Sequence, residues 1–259
     1  MLFDLAHILY MVISSLGIAA ALVLAHLFLK DSRGRECFLK WVAALTVVIH
    51  YSNIWVEFFA NRGSTVGLEG SHLFPRYPCH IMMWLLFITA FVKNKNGAVF
   101  KVLSEFCFWG GIICATFGTV LNTNYEANPN LSDWFILKGL LSHSTLLLGC
   151  IYMRVGGFMR LRMSNILSAA AGLMLFIVDG LFANWLYEIC GLPEVNAMFL
   201  LYSPYPELPW LSPWTMGLLG LTFLFVVLSL LELTLPREER WYSLLREKIK
   251  KINQRKASE

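Results

Sequence analysis

Seven apolar stretches, most of them near the roughly 20 residues that a membrane-crossing helix needs, set the terms for this chain. Hydrocarbon offers the backbone no hydrogen-bond partners, so a spanning segment must satisfy its own N–H and C=O groups. Uninterrupted apolar runs of this kind read as α-helices. They lie at Leu5–Leu29, Phe38–Phe59, 78–92, Val99–Leu121, Trp134–Met153, Ser164–Leu186 and Trp214–Leu235. The first does not read as a cleavable signal peptide: it lacks a basic leader and carries Asp4 and His7 instead. Gly110, Gly111, Ala115 and Gly118 make the fourth stretch suited to close helix contact.

Basic residues orient these spans. Residues 30–40, 93–101, 154–162 and the tail after Leu235 hold eighteen of the 21 Lys and Arg, leaving only Arg62, Arg76 and Lys138 elsewhere. Such residues stay on the cytosolic side. The sequence therefore predicts an all-α polytopic bundle of seven transmembrane helices, with the N-terminus outside and the C-terminus in the cytosol. Residues 1–235 form a single membrane domain. Residues 236–259 form a basic amphipathic cytosolic tail, with Trp241, Leu244, Leu245, Ile249 and Ile252 at helical spacing and Pro236, Glu238 and Glu239 suited to a first turn. Eight basic residues against four acidic ones suit that tail to an anionic lipid surface. Charged residues make up only 15% of the chain, against about a quarter in soluble domains, which excludes a soluble enzyme and gives no basic face for nucleic acid. The six cysteines are scattered through apolar segments without CxxC pairs, so neither a disulfide framework nor a zinc site is expected. No cofactor is implied.

Polar side chains inside the spans carry the functional signal, because each is costly in hydrocarbon. Counting about 1.5 Å per residue puts them in one slab, the outer half of the bilayer. His50, Asn53 and Glu57 lie on the second span, with His50 and Glu57 seven residues apart on one face. Cys79 and His80 open the third, Lys138 and His143 lie on the fifth, and Asp179 and Asn184 on the sixth. Asn196 lies in the long loop that follows. Each has a plain structural reading: a membrane-helix cysteine is ordinarily a small hydrophobe, His143 a helix–helix hydrogen-bonding residue, His50 with Glu57 a buried polar pair, and Asp179 with Lys138 a salt bridge. His7, His26 and His72 read as interfacial or loop residues. Cys79 stands apart because it sits at a helix N-terminus, where the dipole favours a thiolate.

A thiol at the interface with a histidine slightly deeper suits acyl transfer. The thiolate attacks an ester carbonyl to give a thioester, and an alcohol or water takes up the acyl group. The histidine takes and returns the proton. The expected pair is Cys79 with His143, since His80 is turned about 100° from its neighbour on the helix. Asn53, Asn184 and Asn196 are oxyanion-binding candidates.

Three segments carry a family resemblance. Tyr77-Pro78-Cys79-His80 opens a Met-rich helix; Trp134–Met153 holds a central His143; and Pro193-Glu194-Val195-Asn196 precedes Tyr202-Ser203-Pro204 and Trp214. Together, in this order, they resemble the transmembrane protein 164 family and its bacterial YwaF-type relatives, with Tyr77 where the family has Asn and Tyr202 near a position where its eukaryotic members have Cys. The resemblance implies a membrane acyltransferase moving fatty acyl chains between phospholipid and lysophospholipid, with Cys79 as nucleophile and His143 as base. Two other readings stand beside it: an intramembrane lipid hydrolase or thioesterase, and a proton-coupled transporter using His50, Glu57, Asp179 and His143. The compact loops suit a bacterial inner membrane.

Overall fold

A computed structural model of the chain describes residues 3–60, 77–191, 196–203, 208–210 and 212–258, without the side chains of residues 57, 60, 213, 251 and 255–258. The segment 61–76, with Arg62, His72 and Arg76, lies outside the described residues, as do Pro193–Val195, Pro204 and the Glu57 side chain. The described residues are helical and contain no strand. In chain order the α-helices are α1 (Leu5–Phe28), α2 (Ser32–Ala60), α3 (Pro78–Phe91), α4 (Ala98–Val120), α5 (Thr123–Ala127), α6 (Trp134–Val155), α7 (Ile166–Ile189), α8 (Pro213–Glu232) and α9 (Trp241–Ser258).

Six of them, α1, α2, α4, α6, α7 and α8, are long and apolar enough to cross a membrane. The third apolar stretch forms the 14-residue helix α3. At 1.5 Å per residue that is roughly 21 Å, short of a hydrocarbon core of about 30 Å. Lys95 ends it, donating from Nζ to the Thr89 and Ala90 carbonyls at 3.1 and 2.7 Å. Burial of Lys95 lowers its pKa from the ordinary lysine value. Two further expectations shift. The loop after α4 contains α5, nucleated by Asn122, whose side chain accepts from Tyr125 N. In the tail, Pro236, Glu238 and Glu239 belong to a 3₁₀ turn over Arg237–Glu239, and the α-helix begins only at Trp241.

Helix starts follow local chemistry. Asp133 caps α6 by accepting from Phe135 N, and Ser212 forms a capping box with Thr215 at the start of α8. Asp4 caps α1 and also holds it in place: Oδ1 accepts from His7 N at 2.9 Å and from the Tyr125 hydroxyl at 2.7 Å. Those bonds, the His7 N–H first, keep the Asp4 carboxyl below the usual carboxylate range. They form with the ionised group, so their stabilisation is complete above about pH 4 and fades as pH falls through the lowered folded value. His7 Nε2 donates to Thr119 O at 2.8 Å and its ring stacks on Tyr125, fastening α1 to the end of α4.

α6 is the centre of the bundle. It contacts α1, α2, α3 and α4, while α3 also packs on α2 and α4. α7 packs on α4, and α8 joins the bundle through α7. Small residues set how closely the central helices approach. Ala115 of α4 is buried, and a Cβ added to Gly111 would overlap the Cys150 Sγ of α6. Cys107 and Cys150 lie against each other at the same contact, Sγ to Sγ 3.9 Å. With no hydrophobic force between helices in lipid, such close van der Waals contact is the main source of association. Gly111→Ala is expected to destabilise the bundle by about 1–3 kcal/mol, read as a lower unfolding midpoint in detergent. The double variant Gly111→Ala, Cys150→Ala is expected to recover most of the loss; equal destabilisation of both would show that this contact does not set the helix spacing.

Candidate functional site

α2, α3 and α6 pack on one another around a group of polar side chains. His50 of α2 lies edge-on to His80 of α3, with ring centroids 4.4 Å apart. Lys138 of α6 crosses to α2 and donates from Nζ to His50 O at 3.0 Å and to Asn53 Oδ1 at 3.3 Å. Its ammonium also sits 4.9 Å from the Phe135 ring centroid. His50, Asn53, Lys138 and His143 are all buried. Aromatic residues wall the group: Trp84 Nε1 donates to the Tyr51 hydroxyl at 2.8 Å, and Tyr77 packs against both His80 and Phe199.

His143 is held in a defined protonation pattern. Its Nδ1 lies 2.7 Å from Gly139 O. A carbonyl only accepts, so Nδ1 carries the proton and Nε2 keeps the lone pair. Nε2 is buried and has no hydrogen-bond partner among the described residues. The ring fills the space that a side chain at Gly118 of α4 would need. An oriented imidazole with a free lone pair is the form a general base requires.

Cys79 stands at the second position of α3, after the Tyr77 cap and Pro78. It is half-buried and packs against the core. Cys114 of α4 packs against the same core, one turn from Gly118, whose missing side chain makes room for the His143 ring. No hydrogen bond joins Cys79 to His143 among the described residues, so a proton passing between them needs a bridging hydroxyl or water.

Other expected residues do other work. Asn184 clamps the turn at Ala197–Phe199, accepting from Ala197 N at 2.7 Å and donating to Ala197 O at 3.4 Å. Asn196 ties the same segment together by donating to Tyr202 O at 2.7 Å and accepting from Leu201 N at 2.9 Å. Both amides serve the loop, and neither is placed among the imidazoles; of the three asparagines only Asn53 is there. Asp179 does not form the expected bridge to Lys138. It lies on α7, which packs on α4, and its buried Oδ2 has no hydrogen-bond partner among the described residues. Of the expected relay through His50, Glu57, Asp179 and His143, Asp179 lies with α7, and the Glu57 side chain lies outside the described residues. His50 Nδ1 is likewise buried without a hydrogen-bond partner among the described residues. Among the described residues no three His, Cys, Asp or Glu side chains group as a metal site.

Two positions in this group were not placed there from sequence. Lys138 lay in plain view as a charge within an apolar run, but its assignment to Asp179 put it with the wrong helix. Gly118 was read only as a packing residue, and nothing in its neighbours points to a histidine. Gly118→Ala is expected to displace the His143 ring and lower stability by about 1–3 kcal/mol. Gly118→Ala, His143→Ala is expected to restore the unfolding midpoint; a midpoint unchanged by Gly118→Ala alone would disprove the contact.

The chain was compared with known proteins. No curated protein and no solved structure matches it. Residues 2–232 match the TMEM164 family, a span that includes every helix described around the site. With six helices fit to cross a bilayer and this match over most of its length, the chain is a multi-pass membrane protein that belongs to the TMEM164 family.

Proposed function

We propose that the protein is an integral membrane acyltransferase that moves a fatty acyl chain from a phospholipid to a lysophospholipid through a thioester on Cys79. What supports the reading is that the packed helices α3 and α6 carry a helix-N-terminal thiol, an imidazole whose buried Nε2 has no hydrogen-bond partner among the described residues, and a buried ammonium bonded to α2. These three groups supply what acyl transfer needs: a nucleophile, a base and a positive charge for the oxyanion.

The chemistry balances without a cofactor. His143 Nε2 takes the Cys79 proton through a bridging hydroxyl, and Sγ attacks the ester carbonyl carbon. Lys138, with the Asn53 amide, faces the negative charge that develops on the carbonyl oxygen. The C–O bond breaks, and the leaving lysophospholipid alkoxide takes the proton back from His143. The hydroxyl of a second lysophospholipid then gives its proton to His143 and attacks the thioester. A new ester forms, and Sγ leaves as thiolate to be reprotonated. Water as acceptor in the last step makes the same site a hydrolase. The His50 carbonyl and Asn53 orient Lys138, and His80 packs against the His50 ring.

The reading includes a topology. α3 is taken as the seventh span, with the N-terminus outside and the C-terminus cytosolic. Cys79 then lies near the ester level of the outer leaflet. The membrane domain covers residues 1–235, and the basic tail 236–259 lies on anionic lipid of the inner leaflet, suiting a bacterial plasma membrane and kinship with the YwaF-type proteins.

Incubated with radiolabelled phospholipid, the purified protein is expected to form a hydroxylamine-sensitive acyl adduct that Cys79→Ala abolishes. His143→Gln is expected to lower turnover by about 10²–10⁴-fold, and Lys138→Met by about 10²–10³-fold with adduct formation slowed in step. Label that appears in product only when lysophospholipid is present marks a transferase; free fatty acid marks a hydrolase. An adduct that persists in Cys79→Ala sinks the nucleophile assignment.

A further inference from the structure

At the opposite end of the bundle, where α1 ends, α2 begins and α6 ends, a cavity of about 130 Å³ is lined by Ala25, His26, Lys30, Arg35, Tyr152 and Gly156 among others. We infer that this cavity is a phosphate-binding site, sized for one phosphoryl group of a lipid headgroup or a free phosphate and independent of the acyl-transfer reading.

Three features point there. The first is the state of Tyr152. The residue is only 1% exposed, its ring is held by Phe38 and Phe158, and its hydroxyl is buried without a hydrogen-bond partner among the described residues. A buried hydroxyl left unbonded is destabilising, so a donor lining a cavity calls for an acceptor there. The second is Arg35. Its half-buried guanidinium sits beside Gly157, 3.9 Å from where a Cβ would be, and makes no hydrogen bond or ion pair among the described residues. Glu36, its neighbour, is committed to Lys40 at 2.8 Å.

The third is the charge balance. The C-termini of α1 and α6 both end at the cavity, and each contributes about half a negative charge. The N-terminus of α2 returns about half a positive charge and Lys30 and Arg35 bring two more, so the lining is left with about one and a half. The helix-end carbonyls are also occupied: His26 O by Lys30 Nζ at 2.9 Å, Tyr152 O by Gly156 N at 2.7 Å and Met153 O by Phe158 N at 3.0 Å. Asp31 does not line the cavity and is turned to Gly34 N at 2.7 Å. A positive charge of this size, a forked guanidinium and a hydroxyl donor match a phosphoryl group of one to two negative charges. The volume agrees, being about four times the roughly 30 Å³ share of one water; a whole headgroup with its glycerol would have to leave those parts outside.

The unfolding midpoint of the purified full chain in detergent tests this, because a ligand bound to the native state alone raises it. Inorganic phosphate is titrated in one arm and phosphatidylglycerol, added to the micelles, in the other. Sodium chloride at matched ionic strength and diacylglycerol are the references. A saturable rise with inorganic phosphate supports the site and identifies a soluble ligand; a rise with phosphatidylglycerol but not with phosphate supports it and identifies a headgroup. In either arm Arg35→Gln is expected to weaken binding about tenfold or more, and Tyr152→Phe about three- to tenfold. Arg33→Gln, at an exposed position on the same turn outside the lining, is expected to leave it unchanged. No rise in either arm, an undiminished rise in Arg35→Gln, or an equal loss in Arg33→Gln overturns the inference. If Arg35→Gln does not fold, Tyr152→Phe decides.

Discussion

A polar group in hydrocarbon must find a partner within the protein, and α6 carries Lys138, Ser142, His143 and Ser144 in its first half. Each is bonded. Ser142 and Ser144 donate back to Gly139 O and Leu140 O, Ser144 Oγ also meets the Tyr10 hydroxyl of α1, and Lys138 reaches α2. A helix with these groups facing lipid would expose them at a cost of up to about 2.5–3.5 kcal/mol for the lysine alone. Surrounding it with α1, α2, α3 and α4 removes that cost, and the rest of the packing order follows. α4 comes close because Gly111 and Gly118 let it, and α7 and α8 can then add outside α4.

The site uses the same constraint. His143 satisfies Nδ1 within its own helix, which leaves Nε2 as the one nitrogen facing α4. The backbone bond that makes the residue tolerable in a membrane also fixes its tautomer. Lys138 is placed in the same way: bonding to His50 O and Asn53 is what allows the charge to be buried, and it ties α6 to α2. On the acyl-transfer proposal, stability and reactivity would draw on the same few bonds and be lost together in variants of α6.

The opposite end of the bundle is fastened differently. Glu232, at the end of α8, is buried and accepts from Met163 N at 2.8 Å and from Trp241 N. One carboxylate thus anchors the turn before α7 and the start of α9. Arg162 pairs with Glu239 at 3.1 Å across the same junction. Trp241 is drawn against the bundle, while Leu244, Leu245, Ile249 and Ile252 stay exposed along α9. The periodicity of those residues was legible from the chain; the carboxylate that sets the angle of the tail was not, because Glu232 looks like any interfacial acid.

By itself the sequence determined the helices and most of their limits, since a backbone in lipid has few options and Asp4, Asp133, Ser212 and the prolines mark starts by local hydrogen bonding. Counting residues along each helix also predicted a common depth for the thiol and the imidazoles. Only the tertiary structure decided which of those groups meet. Helix rotation and neighbour order depend on contacts between segments far apart in the chain, such as Gly118 with His143 or Lys138 with His50. A residue count along one helix carries no information about the face of another. That is why Asp179 and Asn184, at the right depth, lie with α7 and its loop, and why Lys138 turned to α2.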